Sequence, residues 1–261
     1  MIVFLTSSPS GPLDVPNYDK LLDEKNGFVM NLRQFWKPQM HGLIIAAAPD
    51  SFAGNDEMRD FFEQAFRNSG VPVEKFELWD DRSHDITAEE LEQYDMIMLS
   101  GGHVPTQNRF FERIHLREKI NGYHGIVLGV SAGTMNSADV VYAQPELPGE
   151  SMDSRYVRWI RGLGLTDIMI LPHYQMMKDF MLDGKRLFDE ITYGDSFGKS
   201  FIALEDGSYI RIMEGETVLY GRAHRIQDGV LTTICEEGQN YFFNKIRQRK
   251  GIFEGDWSVD C

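Results

Sequence analysis

The chain has 261 residues, of which 42% are hydrophobic and 25% charged, as is usual for a soluble globular protein. Forty acidic residues against twenty-six basic ones give a formal charge of −14, which disfavours binding to nucleic acid or to anionic membranes. The apolar run at residues 1–5 is too short for a signal peptide, and no segment approaches the length of a membrane span. We therefore expect a cytoplasmic protein without nucleic-acid or membrane partners.

The first half of the chain alternates between apolar runs and segments with helical periodicity. The predicted strands are residues 2–8, 42–48, 75–79, 94–99 and 124–128. The predicted helices are residues 17–36, 55–70 (with Asn55 as the capping residue), 87–93 and a segment that begins near 106. Strands that alternate with helices imply a mostly parallel sheet with helices on both faces.

The second half changes character after an acidic loop at residues 142–153, which contains two prolines. A strand is predicted at 164–171 and a helix at 178–191. Short apolar runs then follow, separated by Asp-Gly and Glu-Gly pairs that are typical of β-hairpins; they are residues 201–204, 209–213, 218–220 and 230–234. We interpret these runs as a small antiparallel addition to one α/β domain that spans residues 1–261.

Residues 129–133 have the sequence GVSAG, which matches the G-x-S-x-G pattern of a sharp turn between a strand and a helix. Such a turn lifts the serine hydroxyl clear of the sheet edge, and an apolar strand precedes it here. Ser131 is therefore the candidate nucleophile. The N–H group of Ala132, at the start of the helix, is a candidate donor to an oxyanion.

A second glycine-rich turn, Gly101-Gly102, follows the predicted strand at 94–99. Ligands of open α/β sheets bind beyond the carboxyl ends of the strands, so this turn and Ser131 are expected to line one cleft. Adjacent glycines allow a backbone N–H group to approach a substrate closely. Gly102 is therefore the second candidate oxyanion donor.

A serine hydroxyl needs a base to remove its proton, and a carboxylate to fix the tautomer of that base. His173 is the best candidate base because it directly follows a predicted strand, whereas His103, beside the Gly-Gly turn, is its rival. Three carboxylates between serine and histidine could orient the base, and spacing alone does not choose among Glu146, Glu150 and Asp153.

Several motifs together resemble peptidase family S51, the group that contains aspartyl dipeptidase (peptidase E) and cyanophycinase. They are GVSAG at 129–133, SGG at 100–102, LPHY at 171–174, FLTSS at 4–8 and ALEDGS at 203–208. The resemblance covers most of the chain in the right order. It implies a fold akin to the class I glutamine amidotransferases, with serine at the turn where those enzymes carry cysteine.

Matched motif by motif, the resemblance implies Ser131 as nucleophile and His173 as base. Glu146 stands where peptidase E carries its acid, usually described as aspartate, and Glu150 stays an alternative because the loop is a few residues longer here. The resemblance thus implies a serine peptidase with a Ser-His-Glu triad and an acyl-enzyme. The implied substrate is a short peptide with aspartate at or next to the scissile bond, and we expect a monomer or homodimer.

A carboxylate-bearing substrate needs a cation in the cleft. The candidate arginines are Arg109, Arg155, Arg158, Arg161 and Arg222. No cofactor or metal is expected, since the chain contains no P-loop, G-x-G-x-x-G or H-E-x-x-H motif and Cys235 and Cys261 form no metal-type pair.

Two alternatives stay open. One is a catalytically silent amidotransferase-like binding protein. The other is an esterase of the α/β-hydrolase type, which shares the serine turn but usually carries its base near the end of its domain.

Overall fold

A computed structural model describes residues 1–243, which fold around a mixed eight-stranded sheet. The strands, in chain order, are β1 (Ile2–Thr6), β2 (Met40–Ile45), β3 (Val73–Trp79), β4 (Met96–Leu99), β5 (Ile126–Val130), β6 (Val140–Tyr142), β7 (Trp159–Arg161), β8 (Met169–Leu171), β9 (Met181–Leu182), β10 (Lys185–Arg186), β11 (Ser200–Leu204), β12 (Tyr209–Met213), β13 (Glu216–Tyr220), β14 (Ala223–Gln227), β15 (Val230–Cys235) and β16 (Asn240–Phe243). The α-helices are α1 (Phe28–Arg33), α2 (Phe52–Asn68), α3 (Ala88–Leu91), α4 (Val104–Arg113), α5 (Leu116–Ile120), α6 (Ala132–Asn136), α7 (Tyr174–Met177) and α8 (Tyr193–Asp195).

The central sheet has the strand order β3-β2-β4-β5-β1-β12-β13-β16. The first five strands are parallel, and β12, β13 and β16 continue the sheet in antiparallel fashion. A second sheet, of order β8-β11-β14-β15, pairs β8 and β11 in parallel. The expected α/β fold, a mostly parallel sheet flanked by helices with antiparallel strands toward the C-terminus, is confirmed.

Both faces of the central sheet are covered, as a parallel sheet requires. Val3 and Leu5 of β1 pack into one buried apolar cluster, whereas Phe4 between them packs into the cluster on the opposite face. The same alternation runs through β4 and β5. This burial on both faces explains why the strands are continuous apolar runs in the sequence.

The C-terminal strands divide between the two sheets and do not form one separate addition. The Glu214-Gly215 and Asp228-Gly229 pairs make the expected hairpins, β12–β13 and β14–β15. The Asp206-Gly207 pair instead connects β11 of the second sheet to β12 of the central sheet. This crossing brings the end of β11 next to the end of β1.

The helix expected at 17–36 is wrong for most of its length. Only a 3-10 turn at Lys25–Gly27 and the helix α1 form there. The Asn17 side chain accepts from the Leu21 N–H and donates to the Leu21 carbonyl, and Lys20 has a left-handed backbone (φ 47°). Asparagine side chains that bond to nearby backbone in this way compete with helix formation.

The helix expected at 178–191 is also wrong. Residues 181–186 form the hairpin β9–β10, whose turn residues Asp183 and Gly184 both have positive φ (52° and 79°). Asp-Gly is the preferred pair for a two-residue turn of this kind, a signal that the apolar periodicity obscured. The following six residues, Leu187–Thr192, wind as a π-helix.

The helix expected from Asn55 begins earlier, at Phe52, and the Asn55 side chain is buried against the Ala48 carbonyl and Asp80. The helix expected near 87–93 has the predicted cap, because Thr87 and Glu90 form a capping box. Cys261 lies outside the described residues. No helix between residues 1 and 243 has both the length and the apolar character needed to cross a bilayer.

Candidate active site

Ser131 stands at the turn between β5 and α6 with a strained backbone. Its φ of 50° and ψ of −110° lie outside the regions that non-glycine residues favour. The turn is held from both sides, since the Ser131 N–H donates to the Thr6 carbonyl and the Met135 N–H donates to the Ser131 carbonyl. The strand-turn-helix context that the G-x-S-x-G pattern requires is therefore present.

The flanking glycines are needed because neighbouring backbone comes very close. A Cβ atom at Gly133 would overlap the carbonyl group of Leu99, at the end of β4. A Cβ at Gly129 would lie 3.0 Å from the Cα atom of Thr134, in the next turn of chain. These close approaches bring the Ser131 turn against the end of β4, where the Gly-Gly turn begins.

His173 follows β8 and also has a left-handed backbone, with φ 59° and ψ 30°. Its Nε2 atom lies 2.9 Å from Oγ of Ser131. β8 belongs to the second sheet and β5 to the central sheet, so the two side chains emerge from the ends of strands in different sheets. The two predicted residues are nevertheless in hydrogen-bond contact.

Asp206 is the carboxylate on the far side of the imidazole. Its Oδ1 atom lies 2.7 Å from Nδ1 of His173, and its side chain is 1% exposed. Burial by itself would raise the pKa of Asp206, but hydrogen bonds from His173, Ser7 and Gln175 and the charge of His173 hold it below its ordinary value. The carboxylate is therefore ionised at neutral pH, where it can only accept.

This fixes the tautomer of the base. Because an ionised Asp206 accepts, Nδ1 of His173 must carry a proton, which leaves Nε2 with a lone pair toward the Ser131 hydroxyl. Asp206 thus accepts from Nδ1 of His173, and Nε2 of His173 accepts from the Ser131 hydroxyl, which is the donor–acceptor direction that a serine nucleophile needs.

Glu146, the acid expected from the sequence, lies elsewhere. Its carboxyl group lies near the backbone N–H of Val104, at the start of α4, and it has no hydrogen bond to His173 in the described part of the chain. Burial, with the charge of Glu150 in addition, raises the pKa of Glu146 to about 8. The structure therefore places Asp206, and not Glu146, against the imidazole.

The other candidates from the sequence are also engaged away from His173. Glu150 accepts from Nε2 of His103 at 2.9 Å and from the backbone N–H groups of Glu146 and Leu147. Nδ1 of His103, the rival base, contacts Thr106. His103 is therefore held by its own partners, beside the site and not within the Ser131–His173 contact.

The two backbone amides expected as oxyanion donors belong to Ala132, next to Ser131, and to Gly102, in the neighbouring turn. Gly101 packs against Ser131, because a Cβ atom there would lie 3.3 Å from the serine Cβ. Within residues 1–243, neither the Ala132 N–H nor the Gly102 N–H has a protein hydrogen-bond partner. Both amides are thus available to a ligand at this turn.

Sequence reasoning missed Asp206 because the Asp-Gly pair was interpreted as a hairpin turn. A signal was nevertheless present, since Asp206 lies two residues past the end of an apolar run, as His173 does. The strands β8 and β11 are parallel neighbours with Leu171 opposite Ala203, so the residues that follow them emerge side by side.

Comparison with known proteins agrees with this fold. A peptidase from an acI-B1 Actinobacterium has a similar structure, with a TM-score of 0.58, 15% identity, and coverage of 93% of this chain and 96% of that one. A putative peptidase E protein from Listeria monocytogenes EGD-e is similar with a TM-score of 0.52, 19% identity, and coverage of 84% and 96%. At these identities the similarity shows the fold alone.

Comparison with the curated proteins found no match. The family comparison is decisive, because the description Peptidase family S51 matches residues 45–220, more than half of the chain and the part that contains Ser131, His173 and Asp206. The protein therefore belongs to peptidase family S51, and this membership implies serine peptidase activity.

Proposed function

We propose that the protein hydrolyses amide bonds of short peptides through a Ser131-His173-Asp206 triad, with preference for an aspartyl residue at or next to the scissile bond. The observation that carries the chemistry is the continuous contact from Ser131 Oγ to His173 Nε2 (2.9 Å) and from His173 Nδ1 to Asp206 Oδ1 (2.7 Å). Nucleophile, base and orienting acid recur in this arrangement on unrelated folds.

The proposed reaction is acyl transfer. Nε2 of His173 accepts the Ser131 hydroxyl proton as Oγ attacks the substrate carbonyl carbon, and the carbonyl oxygen becomes an oxyanion near the N–H groups of Ala132 and Gly102. The protonated Nε2 then gives its proton to the leaving amine, which departs and leaves an ester on Ser131. A water molecule, deprotonated by the same Nε2, hydrolyses this ester and restores the hydroxyl.

Two of the candidate arginines line a cavity next to the site. This cavity, of about 430 Å³, begins at His103, the residue after Gly102, and its lining includes Arg109 and Arg155 together with the carboxylates of Glu112, Glu150 and Asp153. Arg155 is paired with Asp153, whereas Arg109 has no ion-pair partner in the described residues and donates only to Thr106 Oγ1.

The other candidate arginines fit less well. Arg158 is paired with Asp195, and Arg222 with Glu205 and Glu236. Arg161 lines a separate cavity of about 130 Å³. We therefore propose Arg109 as the group that binds the substrate carboxylate.

A panel of Asp-, Asn-, Glu- and Ala-p-nitroanilides and the corresponding dipeptides tests this function. The wild-type protein should prefer the aspartyl substrates, and Ser131→Ala should lower kcat by about 10⁶. Arg109→Met should lower kcat/KM for aspartyl substrates by about 10- to 100-fold and leave asparaginyl substrates almost unchanged, because a charged hydrogen bond is lost. Arg155→Met, on the same cavity but already paired with Asp153, is the matched control.

Three results would contradict the proposal. Equal, measurable rates for Ser131→Ala and wild type would remove the nucleophile assignment. Absence of activity in the wild type, together with an organophosphonate that fails to label Ser131, would favour the silent binding protein. Cleavage of p-nitrophenyl esters with no cleavage of any aspartyl p-nitroanilide or dipeptide would favour the esterase.

A further inference from the structure

The Asp206 carboxylate accepts hydrogen bonds from three side chains, of which His173 is only one. The Ser7 hydroxyl donates to Oδ1 over 2.6 Å, and the Gln175 amide donates to Oδ2 over 2.7 Å. Both carboxylate oxygens are therefore engaged, and rotation of the carboxylate about its Cβ–Cγ bond would break contacts on both sides. The orientation of the acid is set by Ser7 and Gln175 as well as by the histidine.

Gln175 bonds to Asp206 twice. In addition to its bond to Oδ2, its Oε1 atom accepts from the backbone N–H of Asp206 over 3.0 Å. One amide side chain thus fixes the main chain and the carboxyl group of the same residue. This arrangement needs a donor and an acceptor on one planar group. Glutamine supplies both, whereas glutamate supplies both only when it is protonated and methionine supplies neither.

Ser7 connects the acid to the base. It follows β1, is fully buried, and accepts the backbone N–H of His173 over 2.7 Å while it donates to Asp206. His173 has a left-handed backbone that a non-glycine residue adopts at a cost, so a bond to its N–H group helps to hold that conformation. A single hydroxyl therefore couples the backbone of the histidine to the side chain of the aspartate.

We propose, on the basis of the function proposed above, that Ser7 and Gln175 are positioning residues of the peptidase reaction, which hold Asp206 so that Oδ1 faces Nδ1 of His173. Neither residue bonds to Ser131 or to an atom that reacts. They act through Asp206, which keeps the proton on Nδ1 and the lone pair of Nε2 toward Ser131. The expected effect of losing either is therefore on kcat, with little effect on KM.

Three variants separate positioning from a general contribution to folding. Ser7→Ala and Gln175→Met each remove a donor to a charged acceptor and should lower kcat by about 10- to 100-fold. Gln175→Glu, which has nearly the same shape, places a second carboxyl group at hydrogen-bond distance from Oδ2, where the two carboxyl groups share one proton. Loss of this proton at higher pH removes the donor to Oδ2 and puts two negative charges side by side, so kcat of Gln175→Glu should fall with rising pH in a range where wild-type kcat is constant.

Each variant has a matched control. Ser8→Ala removes a buried hydroxyl from the same loop, but its Oγ bonds to the Gly11 carbonyl and not to Asp206. Met176→Glu adds the same charge one residue further along, on an exposed side chain. If the Ser7 and Gln175 variants lose no more kcat than these controls, or if kcat falls with rising pH equally in Gln175→Glu and Met176→Glu, the proposal is overturned.

A readout without substrate separates this inference from the proposed function. The Nδ1 proton of His173, shielded from exchange by Asp206, should give a low-field proton NMR signal in the full-length protein that His173→Ala removes. Ser7→Ala and Gln175→Met should shift or broaden this signal and Ser8→Ala should not. An unchanged signal in both variants would overturn the positioning role even if the protein cleaves peptides. If instead the signal is lost in Ser7→Ala and Gln175→Met but the wild type has no peptidase activity, only the proposed function is overturned.

Discussion

Oδ1 of Asp206 lies 2.7 Å from Nδ1 of His173, although a hairpin, a π-helix and a further strand separate the two residues along the chain. The contact exists because β8 and β11 are parallel neighbours and each residue lies two positions past the end of its strand. Both side chains are therefore carried by the rigid second sheet, while Ser131 is carried by the central sheet. The alignment of the proposed triad depends on how these strand ends meet.

The acid on the imidazole can be identified by comparing Asp206→Asn with Glu146→Gln. Asp206→Asn should lower kcat by about 10⁴, because an amide in place of the carboxylate favours the wrong tautomer of His173. Glu146→Gln should leave kcat within a few fold, since the ring nitrogens of His173 bond to Asp206 and Ser131 and not to Glu146. Steady-state kinetics on one aspartyl substrate would decide, and the reverse ranking of the two variants would restore Glu146 as the acid.

The sequence alone was sufficient to predict those elements whose sequence patterns lie in adjacent residues. The turn at Ser131 is recognisable in the sequence by its flanking glycines, which are needed because neighbouring backbone comes close. His173 is recognisable because an apolar run precedes it. The alternation of apolar strands and helices predicted the parallel part of the central sheet. In these cases, the residues that form the feature are also neighbours in the chain.

Features that depend on pairing between distant strands could not be predicted. Nothing local in residues 169–171 and 200–204 indicates that they pair with each other, so Asp206 was assigned to a hairpin and Glu146 was taken from the resemblance. The helix expected at 178–191 was a wrong prediction, because the apolar spacing was given more weight than the Asp-Gly turn at 183–184. The single domain, the monomer or homodimer and the cytoplasmic location stay predictions.

The buried carboxyl group of Glu146 should make stability depend on pH. Its pKa is raised to about 8 from an ordinary value of 4.5, so between these values the folded state keeps a proton that the unfolded state loses. Stability therefore falls as pH rises through this window, by up to about 1.4 kcal/mol per pH unit for one proton. Urea unfolding from pH 5 to 8 should show Glu146→Gln gaining stability over wild type as pH rises, whereas exposed Glu57→Gln on α2 should keep a constant difference. A constant difference for Glu146→Gln would exclude this effect.

The glycine after the proposed nucleophile should tolerate no side chain. Gly133→Ala would drive a Cβ atom into the carbonyl group of Leu99, so β4 or the Ser131 turn must shift. We expect a loss of about 1–3 kcal/mol in unfolding free energy and a larger fractional loss of kcat. Gly122→Ala is the control, because its Cβ would meet nothing within 4 Å. Equal Tm and kcat for the two variants would show that the turn is not packed as described.

The loop that carries Glu150 should be held in place by Asp183, in the turn of the β9–β10 hairpin. Its carboxylate accepts from the Gly149 N–H, the Ser151 N–H and the Ser151 hydroxyl, and these bonds, led by that of the hydroxyl, keep the pKa of Asp183 below its ordinary value. Asp183→Asn keeps a residue that tolerates positive φ but turns one oxygen into an amide donor that faces other donors. Trypsin should then cleave after Arg155 faster than in wild type, whereas Asp179→Asn, exposed in the turn before β9, should leave the rate unchanged. Mass spectrometry of timed digests measures this, and equal rates in both variants would mean that the loop is held without Asp183.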